Sequence, residues 1–167
     1  MQQLLINNLR LGFNANAALN LKLAESVAEA DMTAQPAADM NHPAWILKHL
    51  SLYHPVIEAL LTGGEPNDPK GEPFGLGTTP VADPAVYGPW DTVISDYRAG
   101  TQRVLAALDT AAAGDPNVLT RTMPIPRWQK RFPQAGTALG YLMLHHEAFH
   151  AGQLSAWRRA RGLPRLY

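Results

Sequence analysis

The stretch His145-His146-Glu147-Ala148-Phe149-His150-Ala151-Gly152-Gln153-Leu154 sits inside a long run of helical periodicity. Reading outward from it, Leu139, Leu142, Met143, His146, Phe149, His150, Leu154 and Trp157 fall on one side of a helix. Thr137 is placed to cap its start. Arg158, Arg159 and Arg161 suit its C-terminal dipole, and Gly162 and Pro164 close it. His146 and His150 are four residues apart, so they stack on one face with an offset of about 40°. Two imidazoles at that spacing can bind one metal ion, but a catalytic site usually has three protein ligands. The rest of the chain is therefore asked for a third ligand and for a scaffold that delivers it.

Three further helices are read upstream. Residues 2 to about 30 form the first, with Leu5, Leu9, Phe13, Ala17, Leu23 and Val27 as its apolar stripe. Asn16 and Asn20 flank that stripe, facing either solvent or a buried polar feature. Pro43, preceded by His42, opens the second helix. Its inward face is Trp45 or Ile46, then Leu50, Tyr53 and Ile57, with His49 at the edge. Pro55 is expected to kink or break it, because proline removes a backbone bond and crowds the preceding turn. Gly63-Gly64 ends whatever survives. The third helix runs from Trp90 to Gly114 on a seam of Trp90, Ile94, Tyr97, Thr101, Leu105 and Leu108.

Residues 63–89 hold six Gly and six Pro and have little that can pack. A loop of that length needs a reason, and a crossover between two helices running in the same direction is one. Residues 115–136 form a second irregular segment, with Arg127, Lys130 and Arg131 around Trp128 as a small basic patch, read as solvated, with binding of an anionic substrate as the lesser alternative. Four helices, two long connections and no strand pattern define an all-α four-helix bundle. A chain of 167 residues fits one domain over 1–167.

Composition narrows the function classes. Lys+Arg and Asp+Glu are equal at 14 each, which leaves no electrostatic footprint for nucleic acid or an anionic membrane. No apolar run approaches the ~18–20 residues of a membrane span, and the N-terminus lacks the pattern of a signal peptide. The chain has no cysteine, so it offers no disulfide, thiolate ligand or thiol nucleophile, which fits a reducing compartment. A cytoplasmic protein acting on a small molecule is expected.

In a bundle, ligands come from side chains on facing helices. His49 is then the third partner for His146 and His150. Three neutral imidazoles on a rigid frame leave coordination positions open, as catalytic zinc sites do. A lone histidine on an apolar face is also a common core residue, so spacing alone does not decide. His145 points about 100° away from His146, and His54 about 140° from His49. These two and His42 are given surface or supporting roles.

The run Pro43-Ala44-Trp45-Ile46-Leu47-Lys48-His49-Leu50, followed nearly a hundred residues later by His146-Glu147-Ala148-Phe149-His150-Ala151-Gly152-Gln153-Leu154, resembles the DinB/YfiT-like superfamily of small four-helix proteins. The resemblance covers essentially the whole chain. It implies an up-down-down-up bundle with a long connection between the second and third helices. It implies a divalent metal, zinc or nickel, on His49, His146 and His150. It also implies an activity. Relatives with an assigned activity are mostly S-transferases using a low-molecular-weight thiol such as bacillithiol or mycothiol, or isomerases using such a thiol. Two features depart from the usual pattern, Pro55 in the second helix and the extra His145.

Three functions stay open on these residues: a metal-dependent thiol transferase, a metal-dependent hydrolase, and a non-enzymatic metal-binding or stress-related bundle. No catalytic residue is assigned. Tyr53, one turn after His49, and Glu147, beside His146 but about 100° round the helix, are the candidates. Glu58 is read as facing away from His49. Gln153 is given a supporting or packing role, and Trp157 a core or dimer contact. Exposed apolar positions on the first and last helices allow a homodimer.

Overall fold

The structure is a computed structural model, and it describes residues 2–166. Four helical rods carry it, and no strand occurs among the described residues. Helix α1 spans Gln2–Glu25, α2 Pro43–Thr62 and α3 Trp90–Ala113. The last rod is α4 (Ala135–Gly140), a π-helical segment (Tyr141–His146) and α5 (Glu147–Ala160), joined without leaving helical backbone angles. Helices α2 and α3 share the most extensive interface, α1 packs on α3 and α5, and the last rod closes against α1 and α2.

Helix ends follow the local chemistry. The His42 ring accepts the Trp45 N–H as an N-cap, and Pro43 fills the first position. Gly63, at φ 75°, takes the left-handed turn that ends α2, its N–H returning to the Ala59 carbonyl. The short turn Glu29–Asp31 follows α1, so the first helix ends five residues earlier than its sequence pattern suggests.

Four sequence expectations are corrected. Helix α2 runs unbroken through Pro55. That ring is exposed, so it crowds no packed face, and the apolar faces on both sides keep the helix together. Leu5 is 48% exposed, and Ile6 is buried in its place. A strict spacing of four drifts about 40° per step around an α-helix, so the stripe has left the core side by Leu5. Phe149 is 53% exposed rather than inward. The last rod starts at Ala135 behind Gln134, with Thr137 already inside it.

The apolar core forms two clusters. One gathers Phe13, Ile57, Leu108, Leu139 and Met143. The other gathers Ala17, Leu50, Tyr97, Leu154 and Trp157. At the register where the clusters meet, the chain buries Asn20, His49, His54, Thr101, His146, Glu147 and His150. Burying so many polar groups is unfavourable unless each finds a partner. That polar layer is where function is to be sought.

Candidate metal centre

His49 comes from the middle of α2. His146 ends the π segment and His150 lies on the first turns of α5. The structure brings the three together in the buried layer. One ring nitrogen from each lies within 4.8 Å of the others, a grouping that could hold a metal ion. The Nε2 atom of His146 is 3.0 Å from Nε2 of His49 and 3.2 Å from Nε2 of His150.

The neighbours decide which nitrogens are free to donate electrons. His49 Nδ1–H donates to the Phe74 carbonyl at 2.6 Å. His150 Nδ1–H donates to Gln153 Oε1 at 2.8 Å, and the same oxygen accepts Asn41 Nδ2 at 3.1 Å. A proton held on Nδ1 leaves Nε2 as a lone pair. Two unprotonated Nε2 atoms thus face His146 Nε2, which can donate a proton to only one of them. A divalent cation satisfies all three at once, so the donor set fits the group.

Burial reinforces this. It holds the His146 ring down at about 2, helped by the charges that His150, His49 and His145 would carry. His150 is held at about 3, first by burial and then by His49, against the opposing hydrogen bond to Gln153. Burial also lowers His49. The rings are therefore neutral and ready to ligate at any physiological pH.

Around the triad the rings are ordered. Trp45 stacks on His49 at 4.6 Å between centroids and 11° between planes, and its indole N–H donates to Thr78 at 3.2 Å. Tyr53 sits 5.1 Å from the His49 ring and 4.8 Å from the His146 ring. Its hydroxyl is pushed up by burial, so it remains a protonated donor near neutrality. A cavity of about 160 Å³ opens beside the triad. His49, His146 and Tyr53 form one wall, and Trp128, Phe132 and Tyr141 form another.

Glu147 lies behind the triad, away from this cavity. Its carboxyl accepts the Tyr97 O–H at 2.6 Å and Asn20 Nδ2 at 2.8 Å. The same amide reaches the Glu147 carbonyl at 3.2 Å. Asn20 is therefore the residue that meets a buried polar feature, and Asn16 does likewise by donating to the Met143 and Leu144 carbonyls of the π segment.

The histidines and acids singled out in the sequence separate cleanly. His54 is buried, not at the surface, and packs on Phe13 and Tyr97 with Nε2 3.6 Å from Glu147. His42 is buried as the α2 cap, and its other nitrogen meets the Val81 carbonyl at 3.0 Å. His145 is exposed and stacks on Tyr141. Glu58 pairs with Arg103 at 3.5 Å. Trp157 is fully buried, donating to the Ala34 carbonyl at 2.7 Å, so it is core.

What sequence reasoning missed is the crossover. Residues 63–89 do pack: Tyr87 is buried between His42 and Phe74, and Phe74 supplies the carbonyl that orients His49. A backbone carbonyl leaves no trace in residue type. Phe74 and Tyr87, two aromatics amid Gly and Pro, were the available signal.

The sequence profile of the DinB superfamily matches residues 13–154. The chain belongs to the DinB superfamily. That match runs from Phe13 in α1 to Leu154 in α5, so it includes all three histidines of the cluster. No curated protein and no solved structure matches the chain. Among the described residues no helix is long and apolar enough to cross a membrane.

Proposed function

We propose that this DinB-superfamily chain is a divalent-metal-dependent S-transferase that activates a low-molecular-weight thiol. The observation that carries the reading is the convergence of three Nε2 atoms with two of the Nδ1 protons tied outward. His49, His146 and His150 would hold the ion. Imidazole donors suit zinc or nickel. When bound, the cation supplies Lewis acidity that lowers the pKa of a thiol at an open position.

The chain's own residues do the rest. Trp45 and Phe74 fix the plane and tautomer of His49, and Gln153 does the same for His150. Tyr53 presents a protonated hydroxyl to the cavity, where it can hydrogen-bond a substrate. The absence of cysteine leaves the thiol to the co-substrate. Transfer is favoured over hydrolysis because no Asp or Glu lines the cavity among the described residues. Glu147, the nearest carboxyl in sequence, is engaged with Tyr97 and Asn20 behind the triad. A thiol is far more acidic than water, so the cation alone would suffice to activate it, whereas a hydrolytic water gains more from a protein base that this wall does not offer.

We also read residues 1–167 as one domain with an up-down-down-up course. The 63–89 connection supports that course, being long enough to return the chain to the end from which α2 started. A cytoplasmic homodimer fits the exposed Leu4, Leu5, Leu11 and Phe149.

The test is metal analysis of untagged protein, followed by thiol-dependent consumption of monochlorobimane with zinc or nickel. Wild type should carry about one divalent ion per chain and consume the electrophile. His49→Ala should lose both. Protein that purifies metal-free and gains no thermal stability from either ion would sink the proposal. Metal-dependent ester cleavage without thiol would replace transfer with hydrolysis.

A further inference from the structure

The cavity beside the triad has a second wall that metal binding does not use. It comes from the irregular segment before α4 and from the π segment: Arg127, Trp128, Arg131, Phe132 and Tyr141. The two arginines are not equivalent. Arg127 makes a two-pronged ion pair with Asp68, so its charge is already met. Arg131 has no acidic partner among the described residues. Its guanidinium instead lies 4.5 Å from the Tyr141 ring centroid and 5.1 Å from that of Phe132. Stacking of this kind orders the planar group and leaves its N–H fork free for a carboxylate. Tyr141 is in turn 6.0 Å from the His146 ring, nearly parallel to it at 19°. One tyrosine therefore links Arg131 to the triad.

We propose that this cavity binds a small monocarboxylate with a flat apolar body, the acid on Arg131 and the body against Trp128, Phe132 and Tyr141. Charge sets the monoanion: of the two guanidinium groups that line the cavity, Asp68 holds that of Arg127, and that of Arg131 has no acidic partner among the described residues. The cavity of about 160 Å³ encloses a body of only small size. The proposal rests on the triad being the reacting end of the site, and it names the substrate class for that end. The carboxylate can belong to the thiol or to its electrophilic acceptor, and the recognition chemistry is the same.

The zinc-loaded full chain is titrated calorimetrically with two matched pairs. One pair is 3-phenylpropionate and 3-phenylpropan-1-ol. The other is 3-mercaptopropionate and 3-mercaptopropan-1-ol. At least one acid should bind about tenfold more tightly than its alcohol, the effect of one charge-assisted fork. The pair that shows the gap tells which co-substrate carries the carboxylate. Arg131→Met should abolish the gap without moving either alcohol, and Arg131→Lys should restore part of it. Arg131 is exposed, and an unchanged melting temperature verifies that both variants fold. Equal affinities for acid and alcohol, or no binding of either, overturn the proposal. So does an acid preference that survives Arg131→Met and vanishes when zinc is chelated, because the metal itself is then the anion site and the metal reading stands. An Arg131-dependent preference that persists in metal-stripped protein and in His49→Ala upholds the cavity even where metal-dependent transfer fails.

Discussion

At the residue scale, the triad works through what holds its outer nitrogens. Gln153 Oε1 accepts from both His150 and Asn41, so its own orientation is fixed before it fixes His150. Gln153→Leu keeps the volume and removes the acceptor. Metal affinity should fall about tenfold or more, the usual effect of losing such a partner, while the circular dichroism spectrum stays that of wild type. Competition against a chromophoric chelator measures it; unchanged affinity would mean that the ring is held by packing alone. The triad itself was legible from one residue type, an i, i+4 pair on one helix and a third histidine on a facing helix, together with the family resemblance. Of its supports, Gln153 was open between a supporting and a packing role, and the hydrogen bond to His150 decides for support. Phe74 acts through a backbone carbonyl and Asn41 is a polar residue that looks like any other, so neither role was legible.

At the element scale, the feature that reading by 3.6-residue period could not supply is the π segment Tyr141–His146. One turn is wider there, and the Asn16 amide reaches across from α1 to the Met143 and Leu144 carbonyls. Such segments mark functional sites in many helices, and here one delivers His146. Gly140 stands immediately before it, but helices also carry glycine for close packing or near their ends, so residue type does not flag the wider turn. Packing between elements is tight where α3 passes α2. A Cβ on Gly100 would overlap the ring of His54, which is enclosed by Phe13 and Tyr97. Gly100→Ala should therefore destabilise the protein, although alanine ordinarily gains up to about 1 kcal/mol in a helix. Gly152→Ala, on α5 with nothing within 4 Å of the new carbon, should show that ordinary gain. Urea denaturation of the pair tests it, and two changes of the same sign would refute the contrast.

At the scale of the whole molecule, the buried histidines couple folding to pH. The folded rings of His146 and His150 are lowered from 6.5 to about 2 and about 3. The unfolded chain thus binds protons that the folded chain refuses. Stability is full above about 6.5 and is lost as the pH falls from there toward 3, at up to about 1.4 kcal/mol per pH unit for each ring. Metal-stripped protein should show this slope in denaturant titrations between pH 6.5 and 4. The His146→Asn, His150→Asn double variant should flatten it, and zinc should carry wild-type stability further into acid. A slope unchanged by the double variant would place the acid sensitivity elsewhere.

The sequence by itself determined four amphipathic helices, their approximate ends, and a pair of histidines, His146 and His150, spaced to share a metal. Those follow from local periodicity, capping chemistry and residue type, which are properties of neighbours along the chain. Only the tertiary structure decided that α2 passes through Pro55, that residues 63–89 cover and orient His49, and that Glu147 turns to Tyr97 and Asn20 instead of toward the cavity. It alone placed Arg131 beside the triad's cavity with no carboxylate partner among the described residues. Each of these depends on which groups from distant parts of the chain compete for the same buried space, and no local pattern encodes that outcome.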